Sequence, residues 1–221
     1  MSQPKPKIEK LDLLVALYIF CILVAELMGG KTFPLVKLGS YQLNASVAIF
    51  ILPIVFTIND VISEVFGRAR AKSVVWSGLL MVALLLGFGL IATHLPPSSR
   101  FQTSEAAYDL IFTQSLRIAS ASLIAFASAE LLDVWVFAKL RAKFGQSKLW
   151  LRNNLSNFAS QFVDTSIFMT LAFYALEKPL AANWQFLVSL ILPYWLLKCS
   201  FSVFETPLVY WGVTWLRPKK T

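Results

Sequence analysis

Residues 153–168 read NNLSNFASQFVDTSIF. Within them Asn154, Asn157, Gln161 and Asp164 follow one another at intervals of three, four and three. On an α-helix that spacing aligns all four on one face, with aromatic and branched apolar residues around the rest. Such a helix is either a surface helix of a soluble domain, wet along its stripe, or a membrane helix with its polar side turned into a bundle. The remainder of the chain decides between them. Its 221 residues are 57% hydrophobic and only 14% charged, with 18 Phe and 7 Trp, and the mean hydropathy is +0.65. Soluble domains carry roughly a quarter charged residues. The stripe therefore belongs to an all-α, polytopic integral membrane protein, expected as one helical domain over residues 1–221.

Apolar runs of about 20 residues cross a bilayer as helices. Six are expected, over residues 11–27, 43–58, 74–93, 116–137, 155–176 and 184–211, with Pro193 bending the last. The first has a basic leader and an apolar core like a signal peptide. That core is long, contains Glu26 and lacks a clear small-x-small cleavage site, so it reads as a retained span. Fourteen of the twenty Lys and Arg residues fall in the N-terminal tail, the 2–3 loop, the 4–5 loop and the C-terminal tail. Positive residues favour the cytoplasmic side, so both termini are expected there. The formal charge of +8 thus orients the chain, and no nucleic-acid partner is expected. Cys21 and Cys199 lie in apolar runs and read as packing residues, with neither disulfide nor metal.

Seven acids fall inside spans or at their ends: Glu26, Asp60, Glu64, Glu130, Asp133, Asp164 and Glu205. A charge at the bilayer centre costs about 2.5–3.5 kcal/mol on insertion scales, so these groups face the interior, pair, or sit at the interface. Spacing supports an interior site. Asp60 and Glu64 are i, i+4; Glu130 and Asp133 are i, i+3; Lys198, Ser202 and Glu205 share a face. Polar faces on several helices imply a common polar cavity. A plainer reading stays open at each place. Asp60 and Glu64 balance Arg68 and Arg70 at the interface, Glu26 and Glu205 are end residues, Lys198 is the structural partner of one acid, and the amides serve as interhelical glue.

There is no GxxxxGK[ST], GxSxG, HExxH or Cys/His ligand set. An enzyme is therefore not expected, nor a cofactor. No Arg-rich voltage sensor or TVGYG filter points to a channel. What remains is a carrier of a polar, hydrogen-bonding solute, neutral or cationic.

Four stretches, PIVFTINDVISEVFG (53–67), ASAELLDVWVFAKLR (127–141), WLRNNLSNFASQFVDTSIF (150–168) and KCSFSVFETPLVY (198–210), together resemble the queuosine precursor transporter family of the vitamin-uptake transporter group. The first span resembles it only in hydrophobicity and in its acid near the outer end. One departure is Glu130, where the family more often has Gln before the LLD run. The resemblance implies import of a 7-deazaguanine base, such as 7-cyano-7-deazaguanine, across the bacterial inner membrane. It also implies a six-helix fold similar to the substrate-binding subunits of energy-coupling-factor importers. Those subunits need an ATPase module; whether this chain does, and whether it forms a homo-oligomer, stays open, as does transport of another nucleobase or vitamin-like solute. On this reading Asp164 or Asp133 clamps the donor edge of the base, and Gln161 and Asn154 read its carbonyl and ring nitrogens. Glu130 and Lys198 line the same site. Phe137, Phe162, Phe168 or Trp135 stacks on the ring. Asp60 and Glu64, with Arg152 as partner, form an inner gate, and Gly67 ends their helix.

Overall fold

The structure is a computed structural model that describes residues 8–39, 41–144, 149–204 and 206–216. Within its helices and strands the side chains of residues 38, 41, 68, 130, 133, 134, 137, 138, 140–144, 149–157, 201–204 and 206 lie outside the description. The protein is an all-α polytopic membrane protein. Its helices are α1 (Lys10–Met28), α2 (Leu52–Phe66), α3 (Arg68–His94), α4 (Glu105–Phe144), α5 (Leu149–Phe173), α6 (Leu180–Phe204) and α7 (Thr206–Leu216). Among the described residues five helical segments are long and apolar enough to cross a membrane: Lys10–Met28, Val47–Phe66, Ala69–His94, Glu105–Ala129 and Leu180–Ser200. Phe158–Phe173, the described part of α5, is a sixth apolar helical segment.

The face that α3 gives to lipid is legible residue by residue. Trp76, Leu80, Leu84, Phe88 and Ile91 are all exposed, at the i, i+4 and i+3 steps of one helical stripe. On its other side Val74, Gly78 and Val82 are buried. In lipid this arrangement is not driven by water release, since acyl chains are as apolar as leucine; close contact between helices holds the bundle.

The expected second span, 43–58, is corrected at its start. Residues 32–46 form an antiparallel hairpin, β1 (Thr32–Leu38) and β2 (Tyr41–Ser46). Leu38 pairs with Tyr41, and Gly39 opens the two-residue connection at φ 62°, a left-handed value open to glycine. Pro34 lacks an N–H to donate, and the register shifts between it and Val36. The chain becomes helical only at a 3-10 turn, Val47–Phe50, which leads into α2. The hydropathy of 43–58 hid this boundary because the inward residues of β2, Leu43 and Ala45, are as apolar as the helix that follows.

The hairpin packs on α6. Ala45 is fully buried with Met169, Leu187, Leu190, Ile191 and Tyr194. The Tyr194 hydroxyl donates to Ser46 O at 2.8 Å, and Asn44 Nδ2 donates to Ser189 Oγ at 2.8 Å. The Ser46 hydroxyl in turn donates to Gly29 O at 2.6 Å, tying the base of the hairpin to the end of α1.

Two further ends differ from expectation. The fifth helix stops at Phe173 rather than 176, where Arg117 Nε and Nη2 donate to Leu171 O (2.7 Å) and Tyr174 O (2.5 Å). A cation on the last carbonyls satisfies groups a helix end leaves open. The buried Asn183 side chain then clasps the turn, accepting from Ala175 N and donating to Ala175 O and Lys178 O. The expected sixth span, 184–211, is two helices. The first runs through Pro193, and the second begins at Thr206. Pro207 sits in the first turn of α7, where its missing N–H costs nothing. α7 then packs chiefly on α2, Val61 contacting Val213 and Leu216. The fourth helix, at 40 residues, is about 60 Å long, twice the hydrocarbon thickness. Gly67, at φ 85° and ψ 162°, separates α2 from α3 without a loop, as its place after a helical run predicts.

Candidate functional site

The stripe of α5 meets α6. Lys198 Nζ lies 2.6 Å from Asp164 Oδ2, and the two side chains are 16% and 27% exposed. This realises the reading of Lys198 as the partner of an intramembrane acid. One turn before Asp164 is Gln161, whose Oε1 lies 3.9 Å from the sulfur of Cys199, the residue after Lys198. One turn before Lys198 is Trp195, whose ring meets Phe162 edge-on with centroids 5.4 Å apart. The seam between the helices thus carries a carboxylate, an ammonium, an amide and two aromatic rings within two turns.

Two polar side-chain atoms on these helices are buried without a hydrogen-bond partner: Thr165 Oγ1, the residue after Asp164, and Trp195 Nε1. Buried polar groups are nearly always paired, so a spare hydroxyl and a spare N–H beside an ion pair leave hydrogen-bonding capacity for a solute. Neither residue was singled out from the sequence. Thr165 directly follows the acid, and Trp195 is one of seven tryptophans. Its place three residues before Lys198 was the available signal.

The other candidates fall as follows. Asn154 and Arg152 lie on α5 and Glu130, Asp133 and Phe137 on α4, but their side chains are outside the described residues, as is Glu205. α4 packs along α5. Asp60 and Glu64 are exposed one turn apart on α2. That helix packs chiefly on α1, α3 and α7, whereas the ion pair lies between α5 and α6. Of the aromatics, Phe168 is packed among Ile118, Ala121 and Ala172 between α4 and α5. Trp135 is exposed, with Lys139 Nζ 3.9 Å above its ring. Phe162 meets Trp195, one turn before Lys198, edge-on. Glu26 is not an exposed end residue: it is 6% exposed.

Comparison with known proteins agrees with this architecture. The profile of the family described as "Putative vitamin uptake transporter" matches residues 46–212. The chain is 31% identical over 192 residues to the "Probable queuosine precursor transporter" of Bacillus subtilis (strain 168), covering 86% of this chain and 79% of that one. It is 29% identical over 160 residues to the "Probable queuosine precursor transporter" of Haemophilus influenzae, covering 69% and 64%. It is 27% identical over 137 residues to the "Queuosine precursor transporter" of Escherichia coli (strain K12), covering 62% and 59%. No solved structure matches the chain. A match over residues 46–212 takes in α2 to α6 and most of α7, and with it the α5–α6 seam: the chain belongs to the vitamin uptake transporter family, a family of transporters and not of enzymes.

Proposed function

We propose that this protein imports queuosine precursors, 7-deazaguanine bases such as 7-cyano-7-deazaguanine, across the bacterial inner membrane, by secondary transport or facilitated diffusion and with both termini in the cytoplasm. The observation that carries the reading is the Asp164–Lys198 pair, flanked by Gln161 and by the unpartnered Thr165 and Trp195. The printed names of the relatives point the same way. A guanine-type edge presents a carbonyl beside a ring N–H and an amino group. A carboxylate accepts two parallel bonds from that donor pair, and an ammonium donates to the carbonyl. The base is thus complementary to both halves of the ion pair and takes the place of each partner for the other. Because each charge exchanges one strong hydrogen bond for another, the pair opens without leaving a bare charge in the membrane. Phe162 and Trp195 border the flat ring.

Glu130, Asp133 and Phe137 of α4 and Asn154 of α5 complete the cavity on this reading, since α4 runs along α5. Asp60 and Glu64, with Arg152, serve its inner gate. The test is uptake of labelled 7-cyano-7-deazaguanine in cells lacking both its synthesis and their own importer. Expression of the protein restores queuosine in tRNA, and Asp164→Asn does not. Absence of rescue by the wild-type chain, when it is present in the membrane, overturns the reading.

A further inference from the structure

Glu26 takes no part in the seam described above. It lies on α1, 6% exposed, and its Oε2 has no hydrogen-bond partner. Ser122 of α4 lies beside the same carboxyl group. Side chains on a helix lean toward its N-terminus, so Glu26 points down α1, away from the hairpin, along α4. α4 also meets the end of α1 at Ser115, whose hydroxyl donates to Leu27 O at 2.8 Å. Above the carboxyl, Ser46 is bonded to Gly29 O, and the 3-10 turn packs on α1.

No cation among the described residues pairs with it. Around it α1 packs on α2, α3, α4 and the 3-10 turn. α3 carries no titratable residue between Lys72 and His94, and the 3-10 turn carries none. The titratable groups of α2, Asp60 and Glu64, are exposed and stand toward its far end. Of those on the described face of α4, Arg117 is turned to the carbonyls of Leu171 and Tyr174. Asp109 is more than three turns from Ser122, and Glu105 and Tyr108 lie farther still. On α1 itself the buried neighbours Tyr18 and Cys21 are neutral groups, and Lys31 beyond its end is exposed. A carboxylate buried in a membrane without a cation is strongly disfavoured, and the group takes up a proton instead.

We propose that Glu26 is a proton-binding site on the outer half of α1, protonated in the conformation described, and that it couples base uptake to proton entry. It accepts one H⁺ from the outer side and releases that H⁺ inward when rearrangement of the hairpin base and α4 wets or pairs the carboxylate; no other bond is made or broken. Coupling rests on the transport reading above, whereas proton occupancy does not.

Two measurements on the purified, reconstituted protein test it. Infrared difference spectra on changing pH are expected to show the carbonyl-stretch band of a protonated carboxyl that is absent in Glu26→Gln, present in Asp164→Asn, and displaced in Ser122→Ala. In proteoliposomes, an inward-directed proton gradient is expected to stimulate uptake of labelled 7-cyano-7-deazaguanine by the wild type. In Glu26→Gln, folded by its thermal unfolding profile, binding persists and that stimulation is lost, while Glu26→Asp restores it in part. No band assignable to Glu26 overturns the proton site. Gradient stimulation that survives in Glu26→Gln, or is missing from an actively transporting wild type, overturns the coupling. A wild type that moves no base defeats the transport reading and the coupling with it, while the band still decides whether Glu26 holds a proton.

Discussion

Lys198 Nζ of α6 sits 2.6 Å from Asp164 Oδ2 of α5, the last polar member of the stripe. On the proposed function the contact couples stability to recognition, because the groups that hold the two helices together are the groups the solute would use. Removing one partner strands the other charge. That costs about 3–5 kcal/mol for a fully buried pair, and about 1–3 kcal/mol is expected at the 16% and 27% exposure seen here. Asp164→Asn and Lys198→Met should each lower the unfolding temperature in detergent, and the double variant should recover most of the loss. Additive losses in this cycle would show that the pair is not coupled.

Recognition should depend on the donor edge of the base. Hydrogen bonds to charged groups are worth about 1.5–3 kcal/mol each, or roughly ten- to a hundredfold in affinity. A 7-deazapurine methylated at the ring N–H, or lacking the amino group, should bind weaker by that factor, measured by titration calorimetry. In Asp164→Asn the difference between these analogues and the parent base should shrink to a fewfold.

Gly67 carries the turn between α2 and α3 at φ 85°, ψ 162°, a region that residues with a Cβ rarely enter. A Cβ there meets no heavy atom within 4 Å, so crowding is not the obstacle; backbone strain is. Gly67→Ala should cost about 1–3 kcal/mol. Gly87→Ala, also in open space but inside α3, should be neutral or stabilising. Thermal unfolding of the two variants side by side checks the contrast.

The hairpin base depends on Ser46, which is 2% exposed. Its hydroxyl donates to Gly29 O and accepts from Ala48 N, and its carbonyl accepts from Tyr194. Ser46→Ala should cost about 1–2 kcal/mol for a buried hydrogen bond and a cap. Tyr194→Phe should cost about 1 kcal/mol. Because both changes loosen one junction, the double variant should lose less than the sum, read from unfolding midpoints.

The membrane class, the lipid-facing helices and the aligned polar stripe were legible in the sequence, because hydropathy, charge cost and the 3.6-residue period act locally. For that reason α1 lies within one residue of its expected ends and α3 ends one residue past its own, though α3 begins six residues earlier than expected. The hairpin was not legible: Leu43 and Ala45 are apolar whether they line a strand or a helix, and packing of Ala45 with Leu190 and Tyr194 decided which. The packing of α7 on α2, a contact between residues about 150 apart, was likewise not legible.

The same division runs through the candidate site. Periodicity established that Gln161 and Asp164 share a face and that Lys198 needs an acid. Seven acids were available, and only the antiparallel docking of α5 on α6 selected Asp164. Burial of Glu26 beneath the hairpin base, and the unpartnered Thr165 and Trp195, were also tertiary outcomes. A sequence specifies which groups must avoid lipid; which partners they meet depends on how helices far apart along the chain come to lie side by side.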